Sequence, residues 1–251
     1  MARPADPTAR AALVTAARRE FVKSGIQRAR IEDITHACGL SKGAFYLHFE
    51  SKEALFRELV REVEGEFETM RTEREAALRS FLERHGPVKP KDLKPESPFA
   101  AELKQVHTAE DRKLLELLWR WRDVVDVLMR GCQGTEFEGV LWTIIDRELV
   151  RVQAECEALK AVRLMRDDVA GEALGTVMVG TYLLVARRLA GLSARPDFDA
   201  YLAPLQTLLA EGTNPRARPK PRAGKPQKSS FVVSSRRAPT RAVRVARRSP
   251  P

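Results

Sequence analysis

The chain has 251 residues, 43% of them hydrophobic and 6% aromatic, enough for one or two globular domains with a sizeable core. Its formal net charge of +10 is unevenly placed: 12 of the 44 Lys+Arg lie between Pro215 and Pro251, where no Asp or Glu occurs, which leaves 32 basic against 34 acidic residues elsewhere. The body of the protein is therefore near neutral, and the basicity belongs to the C-terminal end. Ala, Leu, Arg and Glu dominate and period-two runs of β-branched residues are almost lacking, so the expected fold is all-α. Cys38, Cys132 and Cys156 have neither CxxC spacing nor an even number, and the four histidines are scattered, so neither a zinc site nor a cofactor is expected. The start, MARPADPTAR, lacks the apolar core of a signal peptide, and the longest apolar stretch, around Thr176–Ala186, looks short for a bilayer crossing. A reducing cytoplasm and no membrane partner are the resulting expectations.

In chain order, residues 1–7 carry no pattern. Leu13, Ala17 and Phe21 recur every four residues and predict a first helix over 8–24 that stops at Gly25. Ile31, Ile34 and Ala37 mark one face of a short second helix. Gly39 follows where a left-handed residue ends such a helix, and Ser41 is placed to cap the next. Lys42, Gly43 and Ala44 open that third helix with small side chains and one cation. Phe45 and Phe49 face inward, which leaves Tyr46, Leu47 and His48 outside, and Ser51 caps a fourth helix that begins with Lys52. Helix, glycine turn and short helix form a helix-turn-helix, whose second helix enters the DNA major groove with its N-terminal end at the base edges. Tyr46, His48 and Lys52 can donate to phosphates, and Lys42 can meet either a base or a phosphate. For Tyr46 a half-buried place in the core, and for His48 a solvated surface position, are the ordinary alternatives.

These residues resemble the tetracycline-repressor-type (TetR) family of bacterial transcription regulators. The matching positions are Phe21, Gly25, Ile34, Gly39-Leu40-Ser41, Gly43, Tyr46, His48-Phe49, Ser51-Lys52-Glu53 and Leu55, within roughly residues 8–60. The resemblance implies phosphate contacts by Tyr46, His48 and Lys52. The family usually has Thr or Ser where Arg30 stands, and Ala where Thr35 and Cys38 stand; Arg30 offers a cation in place of the hydroxyl. The expected DNA-facing set is Arg30, Thr35, Ser41, Lys42, Gly43, Ala44, Tyr46, Leu47, His48 and Lys52, with Lys42, Ala44, Leu47 and Thr35 nearest the bases.

The fourth helix is expected to run from Ser51 to about Arg84, followed by a Pro-rich loop over 85–98. Beyond it, Glu110–Arg130, Glu136 to about Val162, Asp167–Ala190 and Phe198–Ala210 read as helices. The last two are apolar enough to pair with their symmetry mates in a four-helix bundle, or Asp167–Ala190 is simply a buried central helix. Residues 1–60 are thus the expected DNA-binding domain, 61–211 a helical regulatory and dimerisation domain, and 212–251 a disordered basic tail, acting either as an electrostatic arm or without a specific role.

The family implies a ligand cavity among the C-terminal helices. Trp119, Trp121, Met129, Phe137, Trp142 and Met178 are the candidates to line it, because aromatics and Met make adaptable apolar pockets, although the same residues serve as ordinary core. Asp123, Asp126 and Asp146 either meet a cationic ligand or pair with neighbouring arginines. No phosphate loop, nucleophile elbow or metalloprotease motif is present, so an enzyme is not expected. The expected protein is a homodimeric regulator, a repressor on a palindromic DNA operator released by an unknown small molecule. The alternatives are a sequence-tolerant DNA-packaging protein driven by the tail, and a helical enzyme or partner-binding protein without DNA binding.

Overall fold

The computed structural model describes residues 6–213 apart from 90, 93 and 95; the basic tail beyond Thr213 lies outside the described residues. Among those residues the chain forms nine helices and no strand: α1 (Pro7–Arg28), α2 (Ile31–Ala37), α3 (Lys42–Tyr46), α4 (Lys52–His85), α5 (Pro98–Arg120), α6 (Arg122–Arg130), α7 (Val140–Ala161), α8 (Gly171–Ala190) and α9 (Phe198–Thr213).

The helix starts follow from local chemistry. Asp6 accepts from the Thr8 amide with Pro7 in the first turn, and Ser97 does the same for the Ala100 amide with Pro98. In α1, Leu13, Ala17 and Phe21 are buried, as their spacing requires. Gly25 interrupts α1 as expected, at φ 71° and ψ 166°, but one further turn follows, to Arg28. That turn is anchored from outside: the Ile26 amide donates to the Gly131 carbonyl at 2.9 Å.

Leu13, Phe21, Ile26, Ile34, Phe45, Phe49, Leu55 and Phe56 pack into one core, which also takes in Leu117, Trp121, Val124, Val127, Phe137 and Leu141 from the far part of the chain. Phe56 sits edge-on to both Phe21 and Phe137, at centroid distances of 5.5 and 4.9 Å. α4 runs unbroken through position 60, so no break in the chain separates the N-terminal helices from the rest. A second core joins Leu114, Leu115 and Leu118 of α5 to Val185, Leu189, Phe198 and Leu202 of α8 and α9. A third, smaller one holds Val152, Cys156, Met165 and Leu174 around α7 and α8.

Three helix expectations need correction. The single helix over Glu110–Arg130 is two, broken at Trp121 (φ −104°, ψ 13°). Trp121 is buried in the first core, and the Arg18 guanidinium, 4.7 Å from its ring, donates to the Arg120 carbonyl at 2.8 Å and to both Asp123 oxygens at 2.5 and 2.7 Å. A side chain from α1 thus satisfies the carbonyl freed at the break. The helix expected from Glu136 begins only at Val140, because Gly139 is left-handed (φ 84°) and Phe137 is drawn toward Phe56. The apolar stretch around Thr176–Ala186 lies within the 20-residue α8, which is long and apolar enough by those measures to cross a membrane, with 28% of its apolar window buried. The flanking Gly171, Leu174 and Gly175 lengthen it and are themselves buried in the structure.

Candidate nucleic-acid interface

α2 and α3 are set by three local devices. The Gly39 left-handed turn (φ 69°) ends the first of them, and the Leu40 amide returns to the Thr35 carbonyl at 2.9 Å. Ser41 Oγ accepts from the Ala44 amide at 3.1 Å, and Ser51 Oγ accepts from the Ala54 amide at 3.0 Å. Phe45 and Phe49 are buried, their rings 5.6 Å apart, and fix the roll of α3. The opposite face is left to solvent: Ser41, Lys42 and Gly43 are exposed, and Tyr46 and Leu47 show 51% and 67% of their surface. Ala44 and His48 flank them, partly covered.

Four expected residues are brought together with their neighbours around a hollow of about 270 Å³, which Arg30, Glu32, Lys42, Tyr46, Glu50, Ser51, Lys52 and Glu53 help to line. Lys42 Nζ donates to Glu32 Oε1 at 2.7 Å. That bond is the main reason the Glu32 carboxyl sits below its ordinary value and the Lys42 ammonium above its own. Lys52 is mostly covered, and its ammonium donates to the Gln27 and Ala29 carbonyls at 2.9 and 2.8 Å, tying α4 to the end of α1. Its role in this structure is to close that corner. Thr35 is buried, with its hydroxyl donating back to the Ile31 and Glu32 carbonyls at 3.0 and 3.1 Å. Its expected place nearest the bases is therefore corrected: Thr35 is only 4% exposed and follows the fully buried Ile34 on the covered side of α2. Glu32, Glu50 and Glu53, absent from the expected set, are the acidic residues that line the same hollow.

The expected ligand-lining residues do not converge. Trp121 and Phe137 belong to the N-terminal core, and Met178 packs beside the third core. Trp119 is stacked by the Arg122 guanidinium at 3.9 Å, Met129 lies between the first two cores, and Trp142 is exposed. All but Trp142 serve packing, because each helix turns its large side chains to a different neighbour. Asp123 and Asp126 are likewise taken up by Arg18 and Arg130.

Two features of the C-terminal helices carry no motif. One is a groove of about 740 Å³ lined from α4 and α7, with Leu78, Leu82, Ala154, Ala158 and Leu159 as its apolar floor. The other is a polar cluster around buried Asp111. It meets Arg74 at 3.7 Å and Gln206 at 3.4 Å, and Tyr182 also hydrogen-bonds to it. His107 stands nearby, its imidazole pushed down by burial and by Arg74. The i, i+4 pairs Leu78/Leu82 and Ala154/Ala158 were the available signal for the groove. Among the described residues no group of three metal-ligating side chains comes together.

The architecture is a helix-turn-helix carried on a larger helical body. Residues 13–59 match the model of the family described as bacterial regulatory proteins, tetR family. It is 60% identical over 37 residues to the uncharacterised HTH-type transcriptional regulator YerO of Bacillus subtilis, covering 15% of this chain and 13% of that protein. It is 42% identical over 48 residues to the uncharacterised HTH-type regulator YdgC of the same organism, covering 19% and 25%. The likeness to these relatives thus spans a quarter of their length or less. The fold is similar over most of the chain to that of a TetR-like transcriptional regulator from Rhodococcus sp. RHA1. That match has a TM-score of 0.54 and 19% identity, over 84% of this chain and 98% of that one. The fatty acid degradation regulator FadR of Bacillus halodurans is similar too, with a TM-score of 0.55 and 14% identity over 84% and 98%.

Proposed function

We propose that this protein is a DNA-binding transcriptional repressor that occupies a palindromic operator as a homodimer and leaves it when a small molecule binds its C-terminal helices. The observation that carries the reading is the exposed face of α3. A capped helix, rolled by two buried phenylalanines, turns Lys42, Gly43, Tyr46 and Leu47 outward, as insertion into a major groove requires. In this reading residues up to about 60 form the DNA-binding part, 61–211 the regulatory and dimerising part, and the basic tail from 212 an arm that adds affinity without sequence preference.

Dimerisation is supported by α8. Val177 and Leu184, seven residues apart on one face, are 58% and 65% exposed, and Leu208 on α9 is exposed as well. An apolar face of this kind calls for a partner, and a second copy related by a two-fold axis covers both faces at once. It would set the recognition helices roughly 34 Å apart or somewhat more, about one turn of DNA. The α4–α7 groove is our choice for the effector seat, since it joins an apolar floor to charged rims on the helix that leads out of the DNA-binding part.

The test is selection of bound sequences from random duplexes with the full chain, in parallel with Leu184→Glu. A palindromic consensus for the wild type, with half-sites bound singly and at least tenfold more weakly by the monomeric variant, is the expected result. Enrichment of no sequence, with binding carried by charge alone, would overturn the repressor reading in favour of tail-driven DNA coating.

A further inference from the structure

The surface assigned above to DNA carries as many carboxylates as cations. Arg30, Lys42 and Lys52 stand around the same hollow as Glu32, Glu50 and Glu53. A surface relying on phosphate attraction alone would leave its cations free to displace counterions. Here the two lysines are already engaged. Lys52 is held by backbone carbonyls, and Lys42, the first residue of α3, is held at 2.7 Å by Glu32 from the first turn of α2. The two helices are separated by the glycine turn, so the pair is made by the fold and not by helical spacing. Both side chains are about half exposed, so the pair opens at little cost.

Resting on the DNA-binding reading, we infer that Glu32 is a specificity-determining residue that acts as a unit with Lys42 to read one G·C pair in each half-site. In the major groove a G·C pair presents the guanine O6 and N7 acceptors beside the cytosine N4 amino donor. An ammonium and a carboxylate held side by side match that order: Lys42 Nζ donates to guanine, and a Glu32 oxygen accepts from cytosine N4. On any other DNA Glu32 keeps Lys42 from the phosphates, so non-cognate sequences lose one cation's worth of attraction. Specificity comes as much from this withheld contact as from the base contacts themselves.

The experiment measures the full chain and its Glu32→Gln, Lys42→Ala and doubly substituted forms on random-sequence duplex across a salt series, and repeats the sequence selection with Glu32→Gln. Glu32→Gln should tighten binding to random duplex about fivefold near physiological salt and steepen the log–log salt slope by about 0.9, the signature of one released phosphate contact. It should also relax the G·C preference at one position per half-site. In the Lys42→Ala background the same substitution should leave random-duplex binding unchanged. Equal tightening in both backgrounds would mean that Glu32 acts only by its own repulsion of phosphate, and would overturn the inference. So would an unaltered consensus. A wild-type chain that binds no duplex overturns the DNA-binding reading and this inference with it, whereas wild-type binding with Glu32→Gln indistinguishable overturns the inference alone.

Discussion

The N-terminal helices and the C-terminal bundle reach their shapes by different routes. In α1–α4 the geometry is written in local devices: two serine caps, two left-handed glycines and a pair of phenylalanines four apart, each acting within a few residues of itself. In α5–α9 capping is sparser. Neither α6, α7 nor α8 has a side-chain cap at its start. Their positions come from long-range packing, such as α8 leaning on α5 through Leu115 and Leu189, and from ion pairs that cross between helices, such as Arg71 with Glu148. A site that must present a fixed face to a fixed partner is specified locally. The C-terminal body is specified instead by contacts between residues far apart in the chain.

The two regions are nonetheless welded by one core, and the largest predicted effect tests that weld. Phe56 is fully buried between Phe21 and Phe137, and Phe56→Ala should lower stability by about 3–5 kcal/mol. Chemical denaturation followed by circular dichroism should show the loss as an earlier single transition. Two separated transitions, with only the first shifted, would show that the N-terminal helices fold apart from the bundle.

A smaller effect is expected at Gly25. Its φ of 71° strains any other residue, and a Cβ there would lie 3.0 Å from the Gly131 carbonyl oxygen, which accepts the Ile26 amide. Gly25→Ala should cost about 2 kcal/mol and speed hydrogen exchange at the Ile26 amide. Unchanged exchange would mean that α6 does not hold the end of α1.

The same contrast explains what could be read from the chain alone. The helix-turn-helix was legible because Gly39, Ser41, Phe45, Phe49 and Ser51 act locally and at fixed spacing. The end of α4 and the span of α9 were close for similar reasons. The break at Trp121 was not legible, because its cause is Arg18, a residue about a hundred positions earlier. Nor was the burial of Thr35, since a hydroxyl that bonds back within its own helix leaves the same apolar pattern as one that faces DNA. The aromatic set offered for a ligand does not come together, because residue type marks packing value, not where a cavity opens. The Glu32–Lys42 pair joins residues ten apart on different helices, and only the turn between them brings them together.

The smallest effect probes the bundle's polar centre. His107 of α5 faces Arg74 of α4, Asp111 of its own helix and Glu155 of α7; burial lowers its pKa first and Arg74 adds to that, while the two carboxylates oppose. The folded state therefore binds this proton less readily than the unfolded chain, whose histidine titrates at about 6.5. As pH falls through that value the unfolded state takes up more protons, so stability declines until the lower folded-state pKa is reached, and it is fully present above about 6.5. His107→Gln removes the titration and should flatten the loss between about pH 7 and 5.5, measured as the difference between urea midpoints at the two values. No comparable flattening is expected from Gly25→Ala, which adds no titrating group and lies in the other region. If His107→Gln keeps the wild-type slope, the acid sensitivity of the bundle does not come from His107.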